Sequence, residues 1–165
     1  MKIRIVQIGK NKDKYIQEGV DEFLKRLKGF ANVEIVTLKE LTASKTFPKE
    51  RVREEEGEEI LKAIDARFRE HDKRGNDIII SLDEKGKDLS SIEFSNMLQK
   101  FKNSGENLTF VIGGPYGLSD EVRKNSNTIL SFSRLTFTHQ MIRLLLLEQI
   151  YRGFCIMTGK EYHNE

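Results

Sequence analysis

Residues able to do chemistry concentrate in four short stretches of this chain. Phe110-Val111-Ile112-Gly113-Gly114-Pro115-Tyr116-Gly117-Leu118 runs from apolar residues into a glycine-rich turn, where missing Cβ atoms let a ligand approach the backbone. The turn lacks the G-x-G-x-x-G spacing of dinucleotide sites, and no Lys-Ser or Lys-Thr follows it as in a phosphate loop; a plain strand-to-helix turn accounts for the same residues. Leu82-Asp83-Glu84-Lys85-Gly86-Lys87 carries paired acids that could bind a ribose hydroxyl, a sulfonium or a metal ion, or simply close a turn. Ser131-Phe132-Ser133-Arg134-Leu135-Thr136-Phe137-Thr138-His139 mixes hydroxyls with apolar side chains ahead of the most hydrophobic segment, and Thr138 is placed to cap a helix. Near the C-terminus stand Tyr162 and His163. A histidine titrates near neutrality and can accept a proton, although terminal residues ordinarily fray.

Other chemistries find no support. No cluster of His, Cys and carboxylates has metal-ligand spacing, and no Gly-x-Ser-x-Gly elbow marks a serine hydrolase. The single cysteine, Cys155, permits no intrachain disulfide, and the Met1-Lys2-Ile3-Arg4 start lacks the apolar stretch of a secretory signal, so a cytoplasmic location is expected. The longest apolar run, Leu144 to Leu147, falls far short of the roughly 20 residues that span a bilayer, and no membrane role is expected. A net charge of +2 does not by itself point to nucleic acid. Local basic clusters, at Lys10, Lys12 and Lys14, at Lys25, Arg26 and Lys28, and at Lys100 and Lys102, read as solvated faces.

The elements that position these stretches follow from periodicity. Ile3–Ile8, Val33–Leu38, Asp77–Leu82 and Leu108–Ile112 read as strands, with Thr128–Phe132 a weaker fifth. Between them, Tyr15, Ile16, Val20, Phe23, Leu24 and Leu27 recur on one helical face, as do Ile60, Leu61, Ile64 and Phe68. Ser90-Ser91-Ile92-Glu93 fits a capping box opening a helix to Phe101, Ser119 or Asp120 can cap a short helix, and the last helix is expected to start near His139. The stretch from Lys49 to Arg74 reads as an exposed helix with the Glu54-Glu55-Glu56 run solvated. Met141, Ile142 and Leu144 to Leu147 make the last helix apolar almost all round, with Arg143, Glu148 and Arg152 the exceptions, so it must be buried on more than one side. A subunit interface or the chain's own interior could supply that burial. Alternating strands and helices in 165 residues predict one α/β domain, 1–165, whose mostly parallel sheet has helices on both faces and binds ligands at the strand carboxyl ends.

Taken in order, Leu82-Asp83-x-x-Gly86-Lys87, Ile112-Gly113-Gly114-x-x-Gly117-Leu118, Ser131-x-Ser133-x-x-Thr136-x-x-His139, Glu148-x-x-Tyr151-Arg152 and Tyr162-His163 resemble the ribosomal RNA large subunit methyltransferase H family over the full chain. The resemblance implies a SPOUT-type fold with a C-terminal trefoil knot, a homodimer, and S-adenosyl-L-methionine as cofactor. It carries cofactor binding over to Leu82, Gly113, Phe132, Ser133, Arg134, Leu135, Thr136 and Phe137. The implied reaction is methylation at N3 of a pseudouridine in 23S ribosomal RNA, in the large subunit or the assembled ribosome, without a metal. N3 carries an imide proton, so a group must take or stabilise the charge that its loss leaves. Arg152 is expected to stabilise the anion, His163 or a nearby carboxylate to assist proton removal, Tyr162 to position the base, and the basic loop around Lys10 to Lys14 to contact RNA phosphates across the dimer. The family has proline more often at Thr138 and arginine more often at Asn164. Two rivals remain: another SPOUT enzyme acting on a ribose 2'-hydroxyl or a transfer-RNA base, and a non-catalytic ribosome-associated RNA-binding factor.

Overall fold

The computed structural model describes residues 1–70, 77–133 and 135–162, with the side chains of 66–70 set aside. The expectations for the Phe68 side chain, residues 71–74, Arg134, His163 and Asn164 therefore lie outside the described residues. Strands and helices alternate throughout: β1 (Lys2–Ile8), α1 (Lys14–Leu27), β2 (Asn32–Leu38), α2 (Lys49–Glu70), β3 (Asp77–Asp88), α3 (Ser91–Asn103), β4 (Asn107–Ile112), α4 (Asp120–Lys124), β5 (Thr128–Ser131) and α5 (Met141–Thr158). The strands form one sheet in the order β2-β1-β4-β3-β5, and every neighbouring pair is parallel. Each parallel connection needs a crossover, and the helices supply it.

Side chains alternate across the sheet, so β1, β3 and β4 each feed two cores. Ile3, Ile5, Ile80, Phe110 and Leu130 point to the face covered by α1, α3 and α5. Val6, Ile8, Ile79 and Val111 point to the other, where Ile60 and Ile64 of α2 and Val122 of α4 meet them. Helices on both faces are thus observed. On α1 the stripe is Ile16, Val20 and Leu27; Tyr15 falls beside it and is 61% exposed, contrary to its expected place on the apolar face.

Local chemistry fixes the helix ends. Ser90 Oγ accepts from Glu93 N while the Glu93 carboxylate accepts from Ser90 N, so the capping box forms. Ser119, not Asp120, caps α4. The last helix starts at Met141, near the expected His139, with Gln140 at its N-cap position; in the turn before it Thr138 Oγ1 accepts from Met141 N at 3.2 Å. Two further expectations are corrected. β3 does not stop at Leu82: it bulges and rejoins β5, so that Leu82 and Lys87 both pair with Leu130. Nor is α2 simply exposed, because Val52, Glu56, Ile60 and Ile64, spaced four apart, form a buried stripe.

α5 packs against both α1 and α3, with Leu146, Leu147, Ile150, Phe154 and Cys155 fully enclosed. The chain's own interior therefore supplies much of the burial that its apolar sequence demands, while Met141, Ile142, Leu144 and Leu145 stay partly open. α3 approaches closely because Gly153 has no side chain: a Cβ there would lie 2.8 Å from Leu98 Cδ1, and Ser95 Oγ donates to Gly153 O at 2.9 Å. Gly153→Ala is expected to overpack this contact and lower unfolding stability by about 1–3 kcal/mol, measured as a reduced urea midpoint.

Candidate functional site

Three strand ends meet on one rim of the sheet. Leu82 is the register partner of Ile112 on one side and of Leu130 on the other, so the segments after these residues leave together. They wall a cleft of about 820 Å³, within the usual size range for a small-molecule site. Leu82, Gly113, Phe132, Ser133, Leu135, Thr136 and Phe137 all line it, so the structure brings together every described residue of the expected cofactor set.

Each wall has its own construction. The glycine turn is closed by Gly117 N donating to Gly114 O at 3.0 Å, and Gly117 holds φ +77°, a left-handed conformation that side chains disfavour. The β3 bulge presents Asp83, Glu84 and Lys85 to the cleft. Asp83 is held by Arg123, whose Nη2 and Nε donate to it at 2.7 and 3.0 Å. The paired acids are thus differently committed: Asp83 braces the wall, and Glu84 accepts from Thr136 Oγ1 at 3.4 Å across the mouth. The third wall is ordered by its own hydroxyls. Ser131 Oγ donates to Ser133 O, and Ser133 Oγ accepts from Leu135 N, both at 2.9 Å. This leaves Leu135 73% exposed at the cleft edge.

Two charged groups that sequence reasoning left aside brace the rim from beneath. Glu56, expected in solvent, is only 2% exposed; Oε1 accepts from Leu41 N at 2.9 Å, and Oε2, without a partner among the described residues, lies 2.5 Å from where a Gly114 Cβ would stand. Burial raises its carboxyl above the ordinary range, the Leu41 amide opposing and Glu40 adding to the rise. The stripe Val52-Glu56-Ile60-Ile64 was the available signal that Glu56 faces inward. Arg143, also 2% exposed, donates to Ile8 O and, at 2.8 Å, to Asn11 Oδ1, tying the start of α5 to the end of β1. Burial brings its guanidinium down to about 10, so it remains charged at neutral pH. His139 lines the cleft beside it, and burial, with Arg143 and Lys12 opposing Glu40, lowers the imidazole below its usual value.

Arg152 and Tyr162 stand elsewhere. They do not line the cleft: ten residues separate Ile142, which does, from Arg152, about 15 Å along α5. Arg152 Nε donates to Glu148 Oε1 at 3.0 Å, the Tyr162 hydroxyl donates to the same oxygen at 3.3 Å, and the Arg152 guanidinium lies 5.0 Å from the Tyr162 ring centre. Burial, then the Glu148 charge, raises the Tyr162 phenol, so it is a hydrogen-bond donor at neutral pH. Among the described residues no three His, Cys, Asp or Glu side chains converge as a metal site, and no helix is long and apolar enough to cross a membrane.

The fold is that of a SPOUT methyltransferase: residues 1–163 match the family model described as predicted SPOUT methyltransferase. The fold is shared with a probable methylase family protein from Haemophilus influenzae at a TM-score of 0.56 and 15% identity, covering 99% of this chain and 70% of that one. Within that class, the ribosomal RNA large subunit methyltransferase H of Enterococcus faecalis is 45% identical, covering 99% of both chains, and that of Caldicellulosiruptor bescii is 44% identical, covering 98% of this chain and 99% of its own. The chain belongs to the ribosomal RNA large subunit methyltransferase H family.

Two outcomes test this geometry. Glu56→Gln keeps the acceptor for Leu41 N and should bind S-adenosylhomocysteine as wild type does; Glu56→Ala should weaken that binding and cost about 1–3 kcal/mol of stability, read by calorimetry and denaturant unfolding. Because the folded His139 holds its proton less tightly than the unfolded one, stability should fall as pH drops through the unfolded value near 6.5 toward the lower folded value. His139→Gln should flatten that part of the stability profile.

Proposed function

We propose that this protein is a single-domain, cytoplasmic enzyme that methylates N3 of a pseudouridine in 23S ribosomal RNA, using S-adenosyl-L-methionine and acting as a homodimer. The observation that carries the reading is the rim cleft, in which the described residues of the expected cofactor set come together from β3, β4 and the chain after β5. The cleft fits an adenine nucleoside: Leu82, Leu130, Phe132 and Phe137 offer apolar faces, and the glycine turn offers backbone groups. Around Gly117, no atom would contact an added Cβ, so that side of the turn is open. When bound there, the cofactor supplies a methyl carbon made electrophilic by its sulfonium.

The chain's own groups have the remaining task, because N3 must shed its imide proton as the new N–C bond forms. Arg152, oriented by Glu148, stabilises the charge that develops on the base. Tyr162, protonated, positions the base. The proton passes to His163 or to the Glu148 carboxylate and then to solvent. The roughly 15 Å along α5 between the cleft and Arg152 supports a composite site, in which one protomer's cleft meets the Arg152–Tyr162 cluster of a second copy. The partly open Met141, Ile142, Leu144 and Leu145 suit such a contact. The family's trefoil knot, formed by the chain beyond β5, belongs to the same proposal.

The test is transfer of radiolabel from S-adenosylmethionine to ribosomes from cells lacking the modification, beside ribosomes that also lack the pseudouridine. Label only where pseudouridine is present is the expected result, and Arg152→Ala should reduce turnover at least about 100-fold with cofactor affinity unchanged. Label appearing equally in both samples, or only in transfer RNA, would refute the assignment.

A further inference from the structure

The carboxyl ends of α1, α3 and α5 converge on one face, and each brings cations that rest on aromatic rings. Lys102 Nζ lies 5.9 Å from the Phe154 ring centre, and Lys160 Nζ lies 5.9 Å from that of Phe30 and 5.6 Å from that of Tyr151. The Arg26 guanidinium stands 5.4 Å from Phe23 and 5.8 Å from Tyr151. The rings form one connected set: Phe30 stacks on Phe154 at 5.5 Å, and Tyr151 meets Tyr162 edge-on at 4.8 Å. Lysines at helix ends complement the helix dipole, which accounts for each one separately but not for their convergence. Arg26 is held by Glu22 at 2.8 Å, whereas Lys28, Lys102 and Lys160 are exposed and have no carboxylate within ion-pair distance among the described residues. In the other basic cluster Lys12 is paired with Glu40 at 3.4 Å and Lys14 with Glu18 at 3.6 Å, while Lys10 is exposed.

Ammonium groups without a carboxylate partner on a face of aromatic rings, Lys160 Nζ donating only to the Tyr151 hydroxyl at 3.1 Å, suit the phosphates and unstacked bases of single-stranded RNA. The face is also continuous, through Tyr151 and Tyr162, with Arg152. We infer that this face is the track on which the substrate RNA backbone lies next to the target nucleotide, with Lys28, Lys102 and Lys160 as phosphate contacts. The inference rests on the proposed reaction for its substrate, and on the convergence of three helix ends for its place.

Binding of the full-length protein to ribosomes lacking the modification, measured across a salt series, tests it. In the Lys102→Glu, Lys160→Gln double variant the slope of log affinity against log salt should flatten by about 2, about 1 per lost contact, with a raised KM for ribosomes. The kcat at saturation and the affinity for S-adenosylhomocysteine should be unchanged. Lys62→Glu, on the distant helix α2, should match wild type. Should the double variant fail to fold, Lys28→Glu alone should flatten the slope by about 1. Wild-type affinity and slope in folded variants overturn the inference, while labelled ribosomes in the same preparation leave the proposed reaction standing. A flattened slope with no methyl transfer by the wild-type protein does the reverse.

Discussion

Because all five strands run in one direction, their carboxyl ends share a single rim, and the rest of the molecule depends on this constraint. The register is pinned by buried residues on both faces, since a slip of one residue would turn Ile3, Ile5 and Phe110 toward the wrong core. With it pinned, Leu82, Ile112 and Leu130 stand side by side, and the bulge, the glycine turn and the hydroxyl-rich loop face one another. No long-range folding of loops is then needed to assemble the cleft. What remains is bracing. Glu56 lies beneath the turn, Arg123 holds the bulge, and Arg143 fixes the start of α5 to the end of β1.

The last helix acts as a ruler. Its first turn closes the cleft through Ile142, and its far part carries Glu148, Tyr151 and Arg152 among the rings of α1 and the chain end. A helix packed along its length cannot bend to bring these two regions together, so within one chain the rim cleft and the Arg152–Tyr162 cluster stay apart. In the proposed dimer the basic face beside Arg152 would guide RNA toward the partner's cleft.

Much of this was legible beforehand, for identifiable reasons. β-Branched apolar runs bounded by turn residues located all five strands within about a residue at their starts. The capping box at Ser90 and the hydroxyl at Thr138 marked helix starts because their chemistry is local. The expected cofactor residues that the structure describes, carried by the family resemblance, lie together in one cleft. The failures have two causes, distant partners that no local pattern reveals and local spacing finer than the pattern used. Glu56 looked solvated within an acidic run because nothing local reveals that Gly114 sits against it. The continuation of β3 past Leu82 depends on β5 offering Leu130 twice, and Gly86 permits it by leaving room for the β5 backbone, which a Cβ would approach to 2.4 Å. Tyr15 misled because its one-residue offset from Ile16 was read as part of the same face.

A crystal structure of the protein with S-adenosylhomocysteine bears most directly on this account. The ligand should lie between the Gly113–Gly117 turn and the 132–137 loop, its sulfur facing the Arg152–Tyr162 cluster of a second copy. A ligand bound outside that cleft, or one whose sulfur faces the same chain's Arg152, would contradict it.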